Sequence, residues 1–310
     1  MFKKLKNKRV LVTGGSGFVG RNLIKIFKQN NIDFKSLSSK NDLRIEKNVK
    51  KIFSNYQPHV VFHLAAKVGG ILANMKFKKD FFVDNSLINL NILNYSEKFK
   101  VKKIFAMGTG CAYPKKLEKF VLDEDDYLDG HPEVTNDAYA YAKRNMLVHL
   151  KYLYEEKKIP YVYCIPANIY GKYDNFHPVN SHVIPALIRK FYESVKFNKK
   201  KITIWGSGKA KRDFLYIEHL IDAMEKIETS NFVGSINVAQ NNILTIKEIV
   251  NSLVKISSYK YKIKYDIKMP EGQKIRIFNT NTIKKLGWKI KPDTYHNLEK
   301  TYRWFEKNYI

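Results

Sequence analysis

The chain is poor in the residues that hold together a small secreted scaffold or a metal centre. Its 310 residues contain two cysteines, Cys111 and Cys164, too few for a disulfide framework and without zinc-site spacing, so no metal is expected. Arginine is scarce as well: eight of the 56 basic residues are arginine and the rest lysine, against 29 acidic residues. Readers of base edges lean on bidentate arginine, and these lysines are dispersed without a long basic block. The net charge of +27 therefore reads as a solvated lysine-rich surface, and no nucleic-acid partner is expected. Long apolar runs are missing too. Val10-Leu11-Val12 follows a few lysines near the start, but it is too short for a signal-peptide core and far short of a membrane span. A cytoplasmic protein without a membrane partner is the expectation.

What the chain does contain is alternation. Apolar strands are predicted at residues 8–13, 33–38, 59–66, 103–107 and 161–165, with amphipathic helices at 21–30, 46–55, 80–99 and 137–156 between them. That order belongs to the α/β class, a Rossmann-type doubly wound parallel sheet, with a crevice for ligands at the strand ends. After Tyr170-Gly171 the texture changes to loops, helices and short strands. The expectation is a dinucleotide-binding domain at 1–170 and a smaller C-terminal α/β substrate domain at 171–310, with some segments returning to the first. Two helices are apolar around more than one face, through Phe81, Phe82, Leu87, Ile88, Ile92 and Leu93 on one and Met146, Leu147, Leu150, Leu153 and Tyr154 on the other. Burial within the fold explains this, and so does a homodimer interface through helices 80–99 and 137–157.

The segment Gly14-Gly15-Ser16-Gly17-Phe18-Val19-Gly20 follows the first strand and opens the first helix. Glycines there let the chain turn sharply and let a pyrophosphate approach the helix N-terminus. At the end of the second strand, where a carboxylate would grip an NAD ribose, the chain has Ser38-Ser39-Lys40 and no acid until Asp42. Hydroxyls and a lysine suit a 2′-phosphate, so NADP (as NADPH) is the expected cofactor, with Asp42-Leu43 against the adenine.

Tyr139 and Lys143 lie four apart on one helix face. A nearby ammonium is expected to lower the phenol pKa and make Tyr139 a usable acid, while Thr109 at the preceding strand end bonds the substrate oxygen. With 20 tyrosines in so lysine-rich a chain, about three Tyr-x-x-x-Lys matches arise by chance. Tyr154 and Tyr192 also fit the spacing, and only Tyr139 follows a strand-end threonine and opens a helix.

Several words point further: residues 65–71 (Ala-Ala-Lys-Val-Gly-Gly-Ile), Gly108 to Pro114, Thr135-Asn136 before Tyr139, residues 166–171 (Pro-Ala-Asn-Ile-Tyr-Gly), Asp174 to Leu187, Trp205 to Gly208 and Arg212 to Leu215. Through them nearly the whole chain resembles the GDP-L-fucose synthase family of extended short-chain dehydrogenases/reductases, including related GDP-4-keto-heptose C4 reductases. The resemblance implies NADPH-dependent C4 reduction of a GDP-4-keto sugar for surface polysaccharide synthesis. It assigns Cys111 as base and His182 as acid in C3 and C5 epimerisation, two groups because inversion takes a proton from one face and returns it to the other. It adds Ala65, Ala66, Lys67, Pro166, Asn168 and His182 to the cofactor residues. It puts Thr109, Gly110, Cys111, Asn168, Lys190, Trp205, Arg212 and Arg276 on the substrate.

Three departures from the family pattern fall together beside the sugar: Thr109 and Gly110 replace serines, and Ala112 replaces a larger aliphatic; elsewhere Lys190 stands where the family often has arginine, and Glu218-His219 where it often has Asp-Asp. Extra room beside the sugar is the expectation, which suits a heptose. A reductase without epimerase activity stays open. A 4,6-dehydratase or simple 4-epimerase on the same fold is the other alternative, but dehydratases place Asp-Glu after the strand-end threonine and Gly110-Cys111 offers no carboxylate.

Overall fold

The computed structural model describes residues 1–116, 119–178, 180–260, 262–268 and 277–309. Runs of consecutive apolar residues become strands buried on both faces, as a parallel sheet between helices requires. The first strands are β1 (Val10–Thr13), β2 (Phe34–Ser36), β3 (Val60–His63) and β4 (Lys103–Met107). Between them run the helices α1 (Phe18–Gln29), α2 (Glu46–Tyr56), α3 (Ile71–Lys76) and α4 (Lys78–Lys98). A short strand β5 (Val121–Leu122) precedes helix α5 (Asp137–Lys157), β6 (Tyr161–Pro166) and β7 (Asn168–Tyr170). The rest comprises α6 (Val183–Lys196), β8 (Lys201–Trp205), β9 (Lys211–Tyr216), α7 (Ile217–Thr229), β10 (Gly234–Val238) and β11 (Ile243–Thr245). It ends with α8 (Ile246–Ser257), β12 (Lys262–Asp266), β13 (Ile277–Phe278), α9 (Asn281–Lys285) and α10 (Thr294–Asn308).

Six strands form the main sheet in the order β10-β6-β4-β3-β1-β2, every neighbour parallel. The chain moves from β1 outward to β2, then crosses to β3 on the other side of β1, so the strand order reverses there. Ligand crevices open at such reversals, beyond the carboxyl ends of the strands. β10 comes from the second half of the chain yet lies at the sheet edge beside β6. β7 belongs instead to a separate three-stranded sheet, β11-β9-β7.

The start of α1 shows why the loop before it must be glycine. Gly14 has a φ of +69°, a left-handed conformation, and a Cβ on it would lie 2.8 Å from the Ala65 nitrogen. A Cβ on Gly20 would meet the Gly14 carbonyl at 2.3 Å. Helix, loop and the end of β3 are thus in backbone contact.

α4 and α5 pack along each other, burying Phe81, Ile92, Leu93, Met146, Leu147, Leu150 and Leu153. Phe82, Leu87 and Tyr152 on the same helices stay 42%, 40% and 56% exposed. Among the described residues no helix is long and apolar enough to cross a membrane.

Candidate active site

The N-terminus of α1 is capped by Gly17, which has no side chain to occupy the first N–H groups. Those donors face the crevice beside the backbone crossing of Gly14 and Gly20, where an anion can sit close. The cradle fits a pyrophosphate, with Gly14, Ser16, Gly17, Phe18 and Val19 around it. Arg21, which sequence reasoning passed over, lays its Nε on the Ser16 carbonyl at 2.8 Å.

At the adenosine end, Asn41 accepts the Ser38 N–H at 3.1 Å, and Ser38 Oγ accepts the Lys40 N–H at 3.3 Å. This turn presents Ser39 and Lys40 outward, both exposed. Asp42 is taken up by Arg44, with contacts of 2.8 and 2.9 Å; Arg44 beside it holds the carboxyl below its ordinary range. Arg44 also reaches Asp84 at 3.1 Å, and Asp84 binds the Lys67 ammonium at 2.7 Å. Asp42 and Asp84 are therefore both already paired, while Lys40 stands exposed beside them, which suits a phosphorylated ribose. Leu43 is buried beneath this network.

A buried polar chain joins the two ends of the crevice. Thr13 Oγ1 accepts the N–H groups of Leu64 and Ala65 at 3.2 and 3.1 Å, so its proton goes to His63 Nδ1 at 2.8 Å. His63 Nε2 then donates to Asn89 Oδ1 at 2.9 Å, and Asn89 Nδ2 donates to the Ala142 carbonyl at 3.2 Å. Burial, helped by the nearby Lys143 ammonium, lowers the His63 pKa to about 3, and the ring stays neutral. The chain runs from beneath Ala65 and Ala66 to the residue before Lys143.

At that end α5 carries Tyr139 and Lys143 on one face. The Lys143 ammonium lies 5.7 Å from the centre of the Tyr139 ring and donates to the Met107 carbonyl at 2.7 Å, at the end of β4. The expected lowering of the tyrosine pKa is not what this geometry gives. Burial raises it, and the neighbouring Cys111 and Tyr127 add to the rise. Lys143 is itself almost wholly buried, and burial lowers its pKa to about 7. Desolvation penalises both charges, so at neutral pH Tyr139 holds its proton and Lys143 stands near its midpoint.

Thr109 caps a single 3-10 turn, Gly110–Ala112, with its Oγ1 accepting the Cys111 N–H at 3.3 Å. This fixes Cys111 over the end of β4, partly exposed and close enough to Tyr139 to act on its charge. The extra room expected from Gly110 does not exist. A Cβ there would lie 2.8 Å from the ring of Phe278, on β13, and 3.3 Å from the Pro166 carbonyl. Phe278, only 4% exposed, fills the space that a serine would take.

His182 stands at the N-cap of α6. Protein around it lowers its pKa by desolvation. No hydrogen bond joins it to Cys111 or Tyr139 among the described residues. Asn168 is exposed at the start of β7, just after the buried strand end at Pro166. Lys190 donates to the Thr203 carbonyl at 2.7 Å, two residues from the exposed Trp205 on β8. Arg212 lies on β9 and bonds the Lys211 carbonyl at 2.7 Å. Arg276 lies outside the described residues.

Thr109, Cys111, Tyr139 and Lys143 thus share one neighbourhood at the end of β4, while His182, Lys190 and Trp205 come from α6 and β8, later in the chain. Phe278, Tyr127 and Tyr163 complete it, and they come from segments that carry no recognisable word.

A doubly wound parallel sheet, an anion cradle at its first helix and a Tyr/Lys helix against the end of β4 define an extended short-chain dehydrogenase/reductase. The chain belongs to the NAD dependent epimerase/dehydratase family, whose model matches residues 10–239. It is similar to a GDP-L-colitose synthase of Yersinia pseudotuberculosis, 34% identical over 97% of this chain and 99% of that one. A GDP-L-fucose synthase of Escherichia coli (strain K12) is 31% identical over 98% of each chain. Among solved structures, a GDP-L-fucose synthetase from Naegleria fowleri bound to NADP superimposes with a TM-score of 0.90 at 30% identity, covering 98% of this chain and 94% of that one.

Proposed function

We propose that the protein is an NADPH-dependent reductase of the C4 ketone of a GDP-linked 4-keto-6-deoxyhexose, and that Cys111 and His182 epimerise C3 and C5 before reduction. One observation carries this reading: Tyr139 and Lys143 share a face of α5, with the Lys143 ammonium tied to the end of β4 at Met107 and Cys111 close to Tyr139. NADPH, when bound, supplies the hydride. The residues that would hold it are the 14–19 loop, Ser38, Ser39, Lys40, Asp42, Leu43, Ala65, Ala66 and Lys67, with Tyr139, Lys143, Pro166, Asn168 and His182 at the other end.

The protein side of reduction is proton delivery. Tyr139 gives its proton to the C4 oxygen, and Lys143, with a pKa near neutrality, restores it at little cost. Thr109 Oγ1 is already an acceptor for Cys111, so its own proton is directed to the sugar oxygen. For epimerisation the C4 ketone acidifies its neighbours; the Cys111 thiolate removes a proton, and His182 on the second unit returns one. Lys190, Trp205, Arg212 and Arg276 are proposed to hold the GDP moiety, the cations engaging the diphosphate.

The Phe278 ring beneath Gly110 favours a 6-deoxyhexose over a heptose, because the glycine at 110 leaves no added space. Purified protein, NADPH and each GDP-4-keto sugar test this, with the product configuration read by NMR. Deuterium entering C3 or C5 in D₂O with NADPH withheld tests the epimerase; its absence, with reduction intact, leaves a C4 reductase alone. The exposed apolar residues of α4 and α5 support a homodimer through these helices, which light scattering on the eluted protein decides. A cytoplasmic location is proposed, where NADPH is supplied, and cell fractionation decides it.

A further inference from the structure

Tyr127 and Tyr163 lie beneath the site, and both are wholly buried. Tyr127 sits on a 3-10 turn, Glu124–Leu128, closed at its start by a reciprocal capping box between Asp123 and Asp126. Its ring is held edge-on by Tyr113 at 5.0 Å and by Tyr163 at 5.4 Å between centroids, so its hydroxyl has one direction to point. That hydroxyl meets the Thr109 backbone twice: the Thr109 N–H donates to it at 3.4 Å, and it donates to the Thr109 carbonyl at 3.1 Å. The Tyr163 hydroxyl lies 3.0 Å from it and donates to the Lys143 carbonyl at 2.9 Å. One phenol holds the Thr109 loop, the other touches the Tyr139 helix, and the two are in contact.

We infer that Tyr127 is a positioning residue of the active site, whose hydroxyl fixes the Thr109 peptide and thereby aims the Thr109 hydroxyl and Cys111 thiol relative to Tyr139. The inference rests on reading Thr109 and Cys111 as active-site groups.

Proton counting gives the pair a direction. Two hydroxyl protons serve three contacts, so one contact is without a proton at any moment. If the Tyr163 proton goes either to the Lys143 carbonyl or to Tyr127, Tyr127 keeps both bonds to Thr109, and the Lys143 carbonyl has its intrahelical partner in both cases. The reverse orientation strips the phenol proton from the Thr109 carbonyl, which keeps only a 3.3 Å bond from the Ala112 N–H. The first two arrangements leave fewer groups unsatisfied, so Tyr127 dominates the coupling and Tyr163 supports it.

Tyr127→Phe and Tyr163→Phe each delete one buried hydroxyl, and a purely structural role makes them equivalent. Expected instead is a kcat loss of about tenfold or more in Tyr127→Phe with the NADPH KM within about twofold, against less than about threefold in Tyr163→Phe. A readout independent of turnover is alkylation of the apo protein by iodoacetamide, which reports Cys111 because Cys164 is wholly buried. Tyr127→Phe is expected to speed it at least about threefold by loosening the turn, and Tyr163→Phe to leave it unchanged. Wild-type alkylation in Tyr127→Phe, or equal shifts in both variants, overturns the assignment. If the wild-type protein reduces no GDP-4-keto sugar, the proposed function fails while the alkylation comparison still decides the role of Tyr127.

Discussion

His63 gives the most quantitative test of the buried polar chain between cofactor loop and catalytic helix. Its folded pKa of about 3 lies below the ordinary value near 6.5, so its contribution to stability is full above pH 6.5 and is lost as pH falls toward 3. Between pH 6.5 and 5 the unfolded chain takes up a proton that the folded protein refuses, at about 1.4 kcal/mol per pH unit, or about 2 kcal/mol in all. The total stability curve need not show this. Burial raises Asp174 to about 7 and Asp213 to about 6, and raised carboxyls add stability as pH falls through those values. Their effect opposes that of His63 across the same window, so only a difference between variants isolates the ring. His63→Gln keeps a donor and an acceptor and is expected to cost about 1–3 kcal/mol at pH 7. By pH 5 the gap between wild type and variant should shrink by about 2 kcal/mol, measured by urea unfolding at each pH. Parallel curves would refute a neutral, desolvated His63 and with it the hydrogen-bond directions assigned from Thr13 to Ala142.

Three further outcomes follow from the site. Gly110→Ser forces a side chain against Phe278 and should cost about 1–3 kcal/mol; adding Phe278→Leu should recover part of it, and strictly additive losses in thermal unfolding would show that the two do not touch. Tyr139→Phe should lower turnover about 10²- to 10⁴-fold while NADPH titrations stay near wild type; a small change in turnover removes Tyr139 from proton delivery. Lys40→Ala should raise the KM for NADPH about fivefold or more and leave that for NADH unchanged, as loss of one cation facing a 2′-phosphate predicts; equal effects on both would place the phosphate elsewhere.

The strands were legible because each is a short apolar run, and 103–107 is found as read. Errors fall where the chain leaves the sheet. The run at 59–66 reads as one strand, yet the strand ends at His63 because Leu64 and Ala65 turn their N–H groups onto Thr13. Helix α1 starts at Phe18 rather than residue 21 because the glycine loop itself supplies the first turn. The place of β10 at the edge of the main sheet has no local signal: Gly-Ser-Ile-Asn-Val looks like any short strand, and its partner lies about seventy residues back. Phe278 shows the same limit inside the site. From sequence, glycine at 110 implies space; only the fold reveals that a ring more than 160 residues away occupies it. The tyrosine pKa was misjudged for a related reason, since spacing shows that an ammonium is near but not that both groups are desolvated.

The proximity of Cys111 to Tyr139 also orders the proposed chemistry. Negative charge on Cys111 raises the Tyr139 pKa, so while a thiolate is working on C3 or C5 the phenol holds its proton more firmly. Early reduction, with hydride added at C4 and the Tyr139 proton passed to its oxygen, would destroy the ketone on which enolisation depends. Once the thiol carries the abstracted proton, that restraint is gone, and Tyr139 becomes the better acid at the moment a developing alkoxide needs one. Two groups of like charge in one desolvated pocket thus favour epimerisation before reduction without any moving part. Removing the thiol should free the phenol: in Cys111→Ser the alkaline limb of the reduction rate, where Tyr139 loses its proton, should shift to lower pH when followed with a substrate that needs no epimerisation. An unshifted limb would mean that the two sites titrate independently and that the order is imposed elsewhere.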